Sequence, residues 1–89
     1  MVFLVIEEIH FRQSVIKKLK KHPKERVKMV LKKIEEIAEN PYRYKRLKKP
    51  LAHLRRVHID KSFVLVFSIF ENKLIIEDFD HHDKIYKIK

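Results

Sequence analysis

Apolar positions in the first half of the chain predict one strand followed by two helices. Residues 2–9 (VFLVIEEI) are short, β-branched and aromatic, which favours a strand. Residues 12–21 place their apolar side chains on one helical face and lysines on the others. A longer helix is predicted over residues 24–39, bounded by His22-Pro23 and Asn40-Pro41. The continuous apolar stripe of that helix consists of Val27, Val30, Leu31, Ile34, Ile37 and Ala38.

The second half of the chain is predicted to consist of strands. Residues 42–49 alternate tyrosine and leucine with basic residues, which suggests an edge strand or an extended loop. Residues 54–60, 62–70 and 73–79 follow as three strands, and the second of these is apolar enough to be buried on both sides. The resulting order, β-α-α-β-β-β-β, predicts an α+β domain over residues 1–89. Its two consecutive helices should pack on one face of a mostly antiparallel sheet.

Alternation within the strand at 54–60 predicts where a ligand could meet the sheet. Val57 and Ile59 fall on one face, and Arg56 and His58 on the other. We expect the face with Arg56 and His58 to point away from the helices and to be free to contact a ligand.

Composition excludes several classes of protein. The 89 residues are enough for one domain, and the absence of cysteine excludes disulfides and thiolate chemistry. The chain also lacks glycine, so it has neither a P-loop nor a dinucleotide-binding fingerprint, and positive-φ turns are expected at Asn40 or Asn72. No apolar run approaches the roughly 18 residues of a membrane span, and Glu7 and Glu8 interrupt the apolar start, unlike a signal peptide. The expected location is therefore the cytoplasm, without a membrane partner.

The charge balance favours a polyanionic partner. Lysine and arginine total 22 against 12 acidic residues, which gives a net charge of +10. Such an excess attracts nucleic acid, although an acidic protein, an anionic membrane surface or a heat-adapted surface would also fit. The densest basic cluster consists of Lys45, Arg46, Lys48, Lys49, Arg55 and Arg56.

The polar stretch DFDHHDKIYK (78–87) allows three interpretations. The first is a metal site at His81, His82 and Asp83. We disfavour it because adjacent histidines point to opposite faces of a strand, or about 100° apart on a helix, and so converge poorly. The second is acid–base chemistry by His58 and His82, and the third is a solvated basic face with incidental histidines. The pattern of residues does not separate the last two.

Two tyrosines near the basic cluster are equally open to interpretation. Tyr42 and Tyr44 could stack on nucleic-acid bases, or they could pack into the seam between helices and sheet.

Residues 54–86 resemble the C-terminal half of the RelE/ParE toxin superfamily, and within it the YafQ-like mRNA interferases. The match comprises the histidine motif at 54–60 (LRRVHID), the apolar strand that follows, and a terminal motif at 82–86 (HDKIY). Upstream, 49–51 (KPL) resembles the family's His-Pro-Leu segment. The chain departs from the family pattern at Lys49, where the family has histidine. It also departs at Ser62 and Val64, where the family has aspartate and the RelE-type arginine.

This resemblance implies a ribosome-dependent mRNA endonuclease that needs no metal or other cofactor. It implies a cognate antitoxin, with operator DNA bound only through that antitoxin. His58 and His82 carry over as the acid–base pair, with His81 as the alternative if the register slips by one. Tyr86 would orient a base, and Asp80 would pair with His82 or Arg56. Lys49, Arg55 and Arg56 carry over as contacts to the phosphate or the transition state, with Lys49 and Arg56 among the catalytic residues. The basic cluster adds Lys45, Arg46 and Lys48 as expected RNA contacts, together with Arg55.

Two other functions remain open at this stage. A ParE-like gyrase poison would share the fold without needing an acid–base pair. A non-catalytic RNA- or ribosome-binding module would explain the charge alone.

Overall fold

The protein folds into a four-stranded mixed sheet with helices on both faces. The structure is a computed structural model that describes residues 6–87, without the side chains of Tyr86 and Lys87. The elements are β1 (Glu8–Phe11), α1 (Gln13–Leu19), α2 (Lys24–Glu39), a 3-10 turn (Pro41–Arg43), β2 (Arg55–His58), β3 (Phe63–Phe70), β4 (Lys73–His81) and α3 (His82–Lys87). No helix in residues 6–87 is long and apolar enough to cross a membrane.

The sheet has the strand order β1-β4-β3-β2. β1 pairs parallel with β4, whereas β4 with β3 and β3 with β2 pair antiparallel. The predicted α+β class and mostly antiparallel sheet are therefore confirmed. β1 extends two residues past the predicted end, and residues 2–5 of that prediction lie outside the described part of the chain.

The main core lies between the sheet and the helices α1 and α2. Its buried side chains are Val15, Val30, Ile34, Ile37, Ile59, Leu65, Phe67, Leu74, Ile76 and Phe79. The helix α2 matches the predicted range at both ends, because Pro23 and Asn40-Pro41 bound its apolar stripe. Leu31 is an exception within that stripe. Its side chain is 47% exposed, because the buried line of the helix runs through Val30, Ile34 and Ile37.

A smaller apolar cluster covers part of the opposite face of the sheet. Val64 and Val66 of β3 pack with Ile85 of α3, and Leu47 and Leu54 join them from the loop before β2. The prediction that β3 is buried on both sides is therefore confirmed. The expectation of an entirely free second face is wrong, since α3 and the loop cover its middle.

Of the two alternatives predicted for residues 42–49, the edge strand is wrong and the loop is correct. The chain forms the 3-10 turn there, and its only ladder contact in the described structure is a single bridge between Arg46 and Arg55. Tyr44 packs against the main core and Leu47 against the smaller cluster. The alternation in the sequence therefore reflects two different cores on either side of the edge of β2, and not a paired strand.

The β3–β4 turn places its positive φ at an unexpected residue. Glu71 has φ 55°, whereas Asn40 has φ −155° and the structure assigns no positive φ to Asn72. A positive φ at the first of two turn residues is typical of type II′ hairpins. The carbonyl oxygen of Asn72 instead accepts the N–H groups of Glu7 (2.8 Å) and Glu8 (3.4 Å), which attaches the start of β1 to this turn.

Candidate functional site

The register of the sheet places two rows of polar residues on the face opposite α1 and α2. Arg56 pairs with Val66, which pairs with Asp78, and His58 pairs with Val64, which pairs with Asp80. Directly opposed residues in antiparallel strands point to the same face. Arg56 and His58 therefore share a face with the two aspartates of β4, and the prediction that these two side chains face away from the helices is confirmed.

Lys18 reaches this face from α1 across the edge of β4. Its Nζ donates to Asp78 Oδ1 at 2.8 Å and to Asp80 Oδ2 at 2.9 Å. Burial is the largest single influence and lowers the pKa of Lys18, but the hydrogen bonds and charges of both aspartates outweigh it and raise that pKa. Of the two expected pairings of Asp80, the one with His82 is wrong, because Lys18 Nζ and the His81 N–H bind its carboxylate. The pairing with Arg56 stays a prediction.

Asp80 is correspondingly held in its ionised form. Burial raises its pKa, but the hydrogen bond and charge of Lys18, the N–H of His81 and the charge of Lys84 together lower it. A carboxylate with a lowered pKa is a weaker base at neutral pH. Asp80 is thus suited to fix Lys18 and unsuited to remove a proton from a substrate.

A third carboxylate on this face, that of Glu77, also has a lowered pKa. Glu77 lies beside a β-bulge and accepts hydrogen bonds from Ser68 Oγ and from Arg12 Nε, the latter at 2.9 Å. Burial raises the pKa of Glu77, but Arg12, Ser68 and the charge of His53 together lower it. Proton transfer at neutral pH on this face would therefore fall to imidazole groups.

His58 and His82 lie at the same end of the sheet but do not touch. His58 is the last residue of β2, and His82 is the first residue of α3, directly after β4. One strand separates their elements, which corresponds to roughly 10 Å between backbones. His58 is exposed, and among the described residues no hydrogen bond, ion pair or ring contact joins it to His82.

His81 and His82 are neighbours in space as well as in sequence. Their rings stack with centroids 4.8 Å apart and planes inclined by 26°. The expectation that adjacent histidines converge poorly is therefore wrong. The chain turns from β4 into α3 between them, so neither strand alternation nor helical spacing sets their relative direction. The ring of His81 also packs edge-on against Phe63 at 5.7 Å.

The predicted basic cluster divides between the two sides of the β2 edge. Lys45, Arg46, Lys48 and Lys49 are exposed on the loop before β2. That loop is attached to the strand by the bond from Arg56 N–H to Lys45 O at 3.1 Å, together with the Arg46–Arg55 bridge.

Arg55 faces the other side from Arg56, because it pairs with the core residue Phe67. Its guanidinium donates to the carbonyl oxygens of Tyr44 (2.7 Å) and Tyr42 (3.4 Å) and lies 5.2 Å from the centre of the Tyr42 ring. Arg55 thus fixes the 3-10 turn that precedes the loop with Lys45, Arg46, Lys48 and Lys49. The side chain of Tyr86, another predicted site residue, lies outside the described part of the structure.

Sequence reasoning missed Lys18 and Arg12 as parts of this face. Arg12 directly precedes α1, whereas Lys18 lies in its last turn beside another lysine, Lys17. Only the position of α1 along the free edge of β4 distinguishes Lys18 from Lys17, and helical periodicity carries no signal for that position.

A groove between α1 and α2 is a second candidate surface. Its volume is about 570 Å³, and its lining is apolar with lysines at the rim. The lining residues are Phe11, Ile16, Leu19, Lys20, His22, Lys24, Val27, Lys28 and Leu31. Leu31, the exposed member of the predicted apolar stripe, lines this groove.

Comparisons with known proteins agree with the fold. Residues 9–86 match the sequence profile of a family described as "ParE toxin of type II toxin-antitoxin system, parDE". A protein of Methanocaldococcus jannaschii named "Putative toxin RelE4" is 52% identical over 86 residues, which cover 94% of this chain and 92% of that protein.

Two solved structures have the same fold at low sequence identity. The toxin–antitoxin complex RelBE2 of Mycobacterium tuberculosis contains a chain with a TM-score of 0.75 and 21% identity, with 86% of this chain and 99% of that chain covered. YafQ of Escherichia coli BL21(DE3) has a TM-score of 0.65 and 16% identity, with 88% of this chain and 96% of that chain covered. At these identities the likeness concerns the fold alone.

Proposed function

The chain belongs to the ParE toxin family of type II toxin–antitoxin systems, within the RelE/ParE superfamily, and we propose that it is a ribosome-dependent mRNA endonuclease. The observation that carries the proposal is the placement of His58 and His82 at one end of the sheet, beside Arg56 and the basic loop. A gyrase poison would not require two imidazoles there.

The proposed reaction is transesterification of the RNA phosphodiester without a metal. One histidine removes the proton of the ribose 2′-hydroxyl, whose oxygen attacks phosphorus while the bond to the 5′-oxygen breaks. The other histidine protonates the leaving 5′-oxygen, so the products are a 2′,3′-cyclic phosphate and a 5′-hydroxyl end. The ion-paired states of Asp80 and Glu77 support giving both proton transfers to imidazoles.

Cations near the two histidines are the proposed phosphate contacts. Arg56 shares the face of His58 and would stabilise negative charge on the phosphorane. The basic loop, defined as Lys45, Arg46, Lys48 and Lys49, would contact the RNA backbone. Arg55 supports this loop from behind through the carbonyls of Tyr42 and Tyr44. Tyr86 is proposed to orient a base, and the cytoplasm, where ribosomes are found, is the proposed location.

The proposed protein partner is a cognate antitoxin, and its docking surface is the groove between α1 and α2. The floor of this groove is apolar, and Lys20, Lys24 and Lys28 lie around it. An antitoxin segment with apolar side chains and carboxylates would match both features. Binding to operator DNA would then occur only through the antitoxin.

Substitution inside and outside the groove tests this docking surface. Leu31→Glu is expected to weaken antitoxin binding at least about tenfold, because it places a charge against the apolar floor. Met29→Glu is the matched control, since Met29 is 42% exposed on the same helix but does not line the groove. Equal affinities of the two variants would rule out the groove as the antitoxin site.

Induced expression with mapping of transcript ends tests the catalytic proposal in cells. Wild-type protein is expected to arrest growth and to leave new 5′ ends within translated mRNA. His58→Ala and His82→Ala should abolish both effects while antitoxin binding persists. Full toxicity of both variants would refute the assignment. The matched control is His10→Ala, because His10 is an exposed histidine on β1, far along the sheet order from β2.

A ParE-like gyrase poison is the second candidate, favoured by the name of the family whose profile the chain matches. The two activities separate in one extract, where plasmid supercoiling and mRNA integrity are followed together. Loss of supercoiling with intact mRNA would favour the gyrase poison. Salt-dependent ribosome binding with unchanged plasmid supercoiling and intact mRNA would indicate a non-catalytic module.

A further inference from the structure

Three potential metal ligands converge where β4 passes into α3. One donor atom each of His81, His82 and Asp83 lies within 4.8 Å of the others. Asp83 is central to the cluster: its Oδ1 is 3.2 Å from His82 Nδ1, and its Oδ2 is 3.6 Å from His81 Nδ1.

These separations are close to those of ligands around one small cation. Zinc bonds to imidazole nitrogen and carboxylate oxygen are about 2.0–2.2 Å long, which places tetrahedral ligands roughly 3.3–3.6 Å apart. The two Asp83 contacts fall near this range before any adjustment. Asp83 is exposed, so its side chain is free to adjust toward a bound ion.

The surrounding structure fixes the two histidines. The His82 N–H donates to Ser62 O at 2.8 Å, which attaches the start of α3 to the β2–β3 connection. The His81 ring packs against Phe63, which stacks on the buried Phe79 with ring centroids 5.5 Å apart. The imidazoles are therefore held near each other before any ion arrives, and this lowers the entropy cost of binding.

We propose that His81, His82 and Asp83 bind one divalent transition-metal ion of the Zn²⁺ type. Two imidazoles and one carboxylate suit Zn²⁺, Cu²⁺ or Ni²⁺, whereas Mg²⁺ and Ca²⁺ prefer sites made of oxygen ligands. Asp83 is 64% exposed, so water completes the coordination and the ion exchanges with solvent. The ion displaces the 3.3 Å hydrogen bond from the Asp83 N–H to His81 Nδ1, which is long enough to be weak. His82 would be shared with the proposed metal-free cleavage, so a bound ion would compete with the acid–base role of that imidazole.

Calorimetric titration of the tag-free protein with Zn²⁺ at pH 7 tests the site. The wild type is expected to bind one ion, and excess Mg²⁺ should not compete. His81→Ala and Asp83→Asn should each weaken binding at least about tenfold. Asp83→Asn is the safer variant for folding because its side chain is exposed, and circular dichroism verifies the fold of both.

His10→Ala is the matched control. His10 Nε2 lies 3.0 Å from Glu8 Oε1, so this pair has a histidine and a carboxylate but not the third donor. The control should bind Zn²⁺ as the wild type does. Absence of saturable binding, or an affinity unchanged by both His81→Ala and Asp83→Asn, would overturn the proposal.

Discussion

The backbone N–H of His82 donates to the carbonyl oxygen of Ser62 at 2.8 Å. Ser62 directly precedes β3, in the connection that follows His58 at the end of β2. This single bond fixes the start of α3 beside the segment that carries the other candidate histidine. The relative placement of His58 and His82 is thus set by backbone contacts at this end of the sheet.

Lys18 is expected to contribute to stability through its two aspartates. Lys18→Met leaves Asp78 and Asp80 without their shared cation, and the expected loss is about 1 kcal/mol because the pair is only partly buried. The melting temperature should fall by about 4–8 °C. Lys17→Met is the control, since Lys17 is an exposed neighbour on the same helix. Equal shifts in the two variants, measured by thermal denaturation, would contradict the ion-pair account.

Tyr44→Phe is expected to leave the protein as stable as the wild type or more stable by about 1 kcal/mol. The Tyr44 hydroxyl is buried, and no described residue forms a hydrogen bond with it. Its ring, by contrast, packs edge-on against Phe67 at 5.7 Å and would be retained.

The control for this substitution is Tyr42→Phe, because Tyr42 is 55% exposed and its hydroxyl can bind water. Its effect in urea denaturation should stay within about 0.5 kcal/mol. A clear loss of stability in Tyr44→Phe alone would mean that the buried hydroxyl has a partner after all.

His22 is expected to make the protein less stable in mild acid. Burial, followed by the positive charge of Arg26, lowers the pKa of His22, and these effects exceed the opposing charges of Asp80 and Asp60. Arg26 donates to His22 Nδ1 at 3.2 Å, so this nitrogen must be unprotonated. Because the pKa of His22 is lower in the folded state, its contribution to stability is fully present at pH values above the unfolded-state pKa of about 6.5. It is lost as the pH falls through the folded pKa.

Urea denaturation at pH 7 and pH 5 measures this effect. His22→Gln keeps a hydrogen-bond acceptor for Arg26 but does not titrate, so its loss of stability between the two pH values should be smaller than that of the wild type. His10→Gln, at an exposed position, should behave as the wild type. An unchanged pH dependence in His22→Gln would show that other groups cause the acid sensitivity.

The predictable parts of the fold were those with a strong local pattern. The helix α2 was predicted to the residue because its apolar period and its bounding prolines agree. The segment 42–49 was not, because Tyr44 and Leu47 contact different cores and so imitate strand alternation. Pattern reasoning treats each segment alone, and this alternation arises from packing on both sides of a sheet edge.

The candidate site was predictable in its residue types and less so in its arrangement. Strand alternation correctly placed Arg56 and His58 on one face. The contact between His81 and His82 was missed, since no sequence signal marks the turn from β4 into α3 at that point. Lys18 was missed because its role depends on how α1 lies along the edge of β4.

The basic loop is expected to govern the salt dependence of ribosome binding. Triple substitution of Lys45, Lys48 and Lys49 by alanine should weaken binding and reduce the slope of log affinity against log salt by up to about one unit per lysine. The control replaces Lys17, Lys21 and Lys32, which are also exposed, and removes the same three charges. Binding measured at several salt concentrations should give a smaller slope for the loop variant than for the control. Equal slopes for the two triple variants would mean that the loop does not govern the salt dependence.

Cleavage of mRNA on purified, programmed ribosomes tests the central claim most directly. The wild-type protein is expected to cut mRNA only when ribosomes are present, with 5′-hydroxyl ends at the cut. His58→Ala and His82→Ala should each slow cleavage by at least about 10²-fold, the usual contribution of a positioned acid or base, whereas His10→Ala should not. Intact mRNA with the wild-type protein, or unchanged cleavage by both histidine variants, would contradict the account.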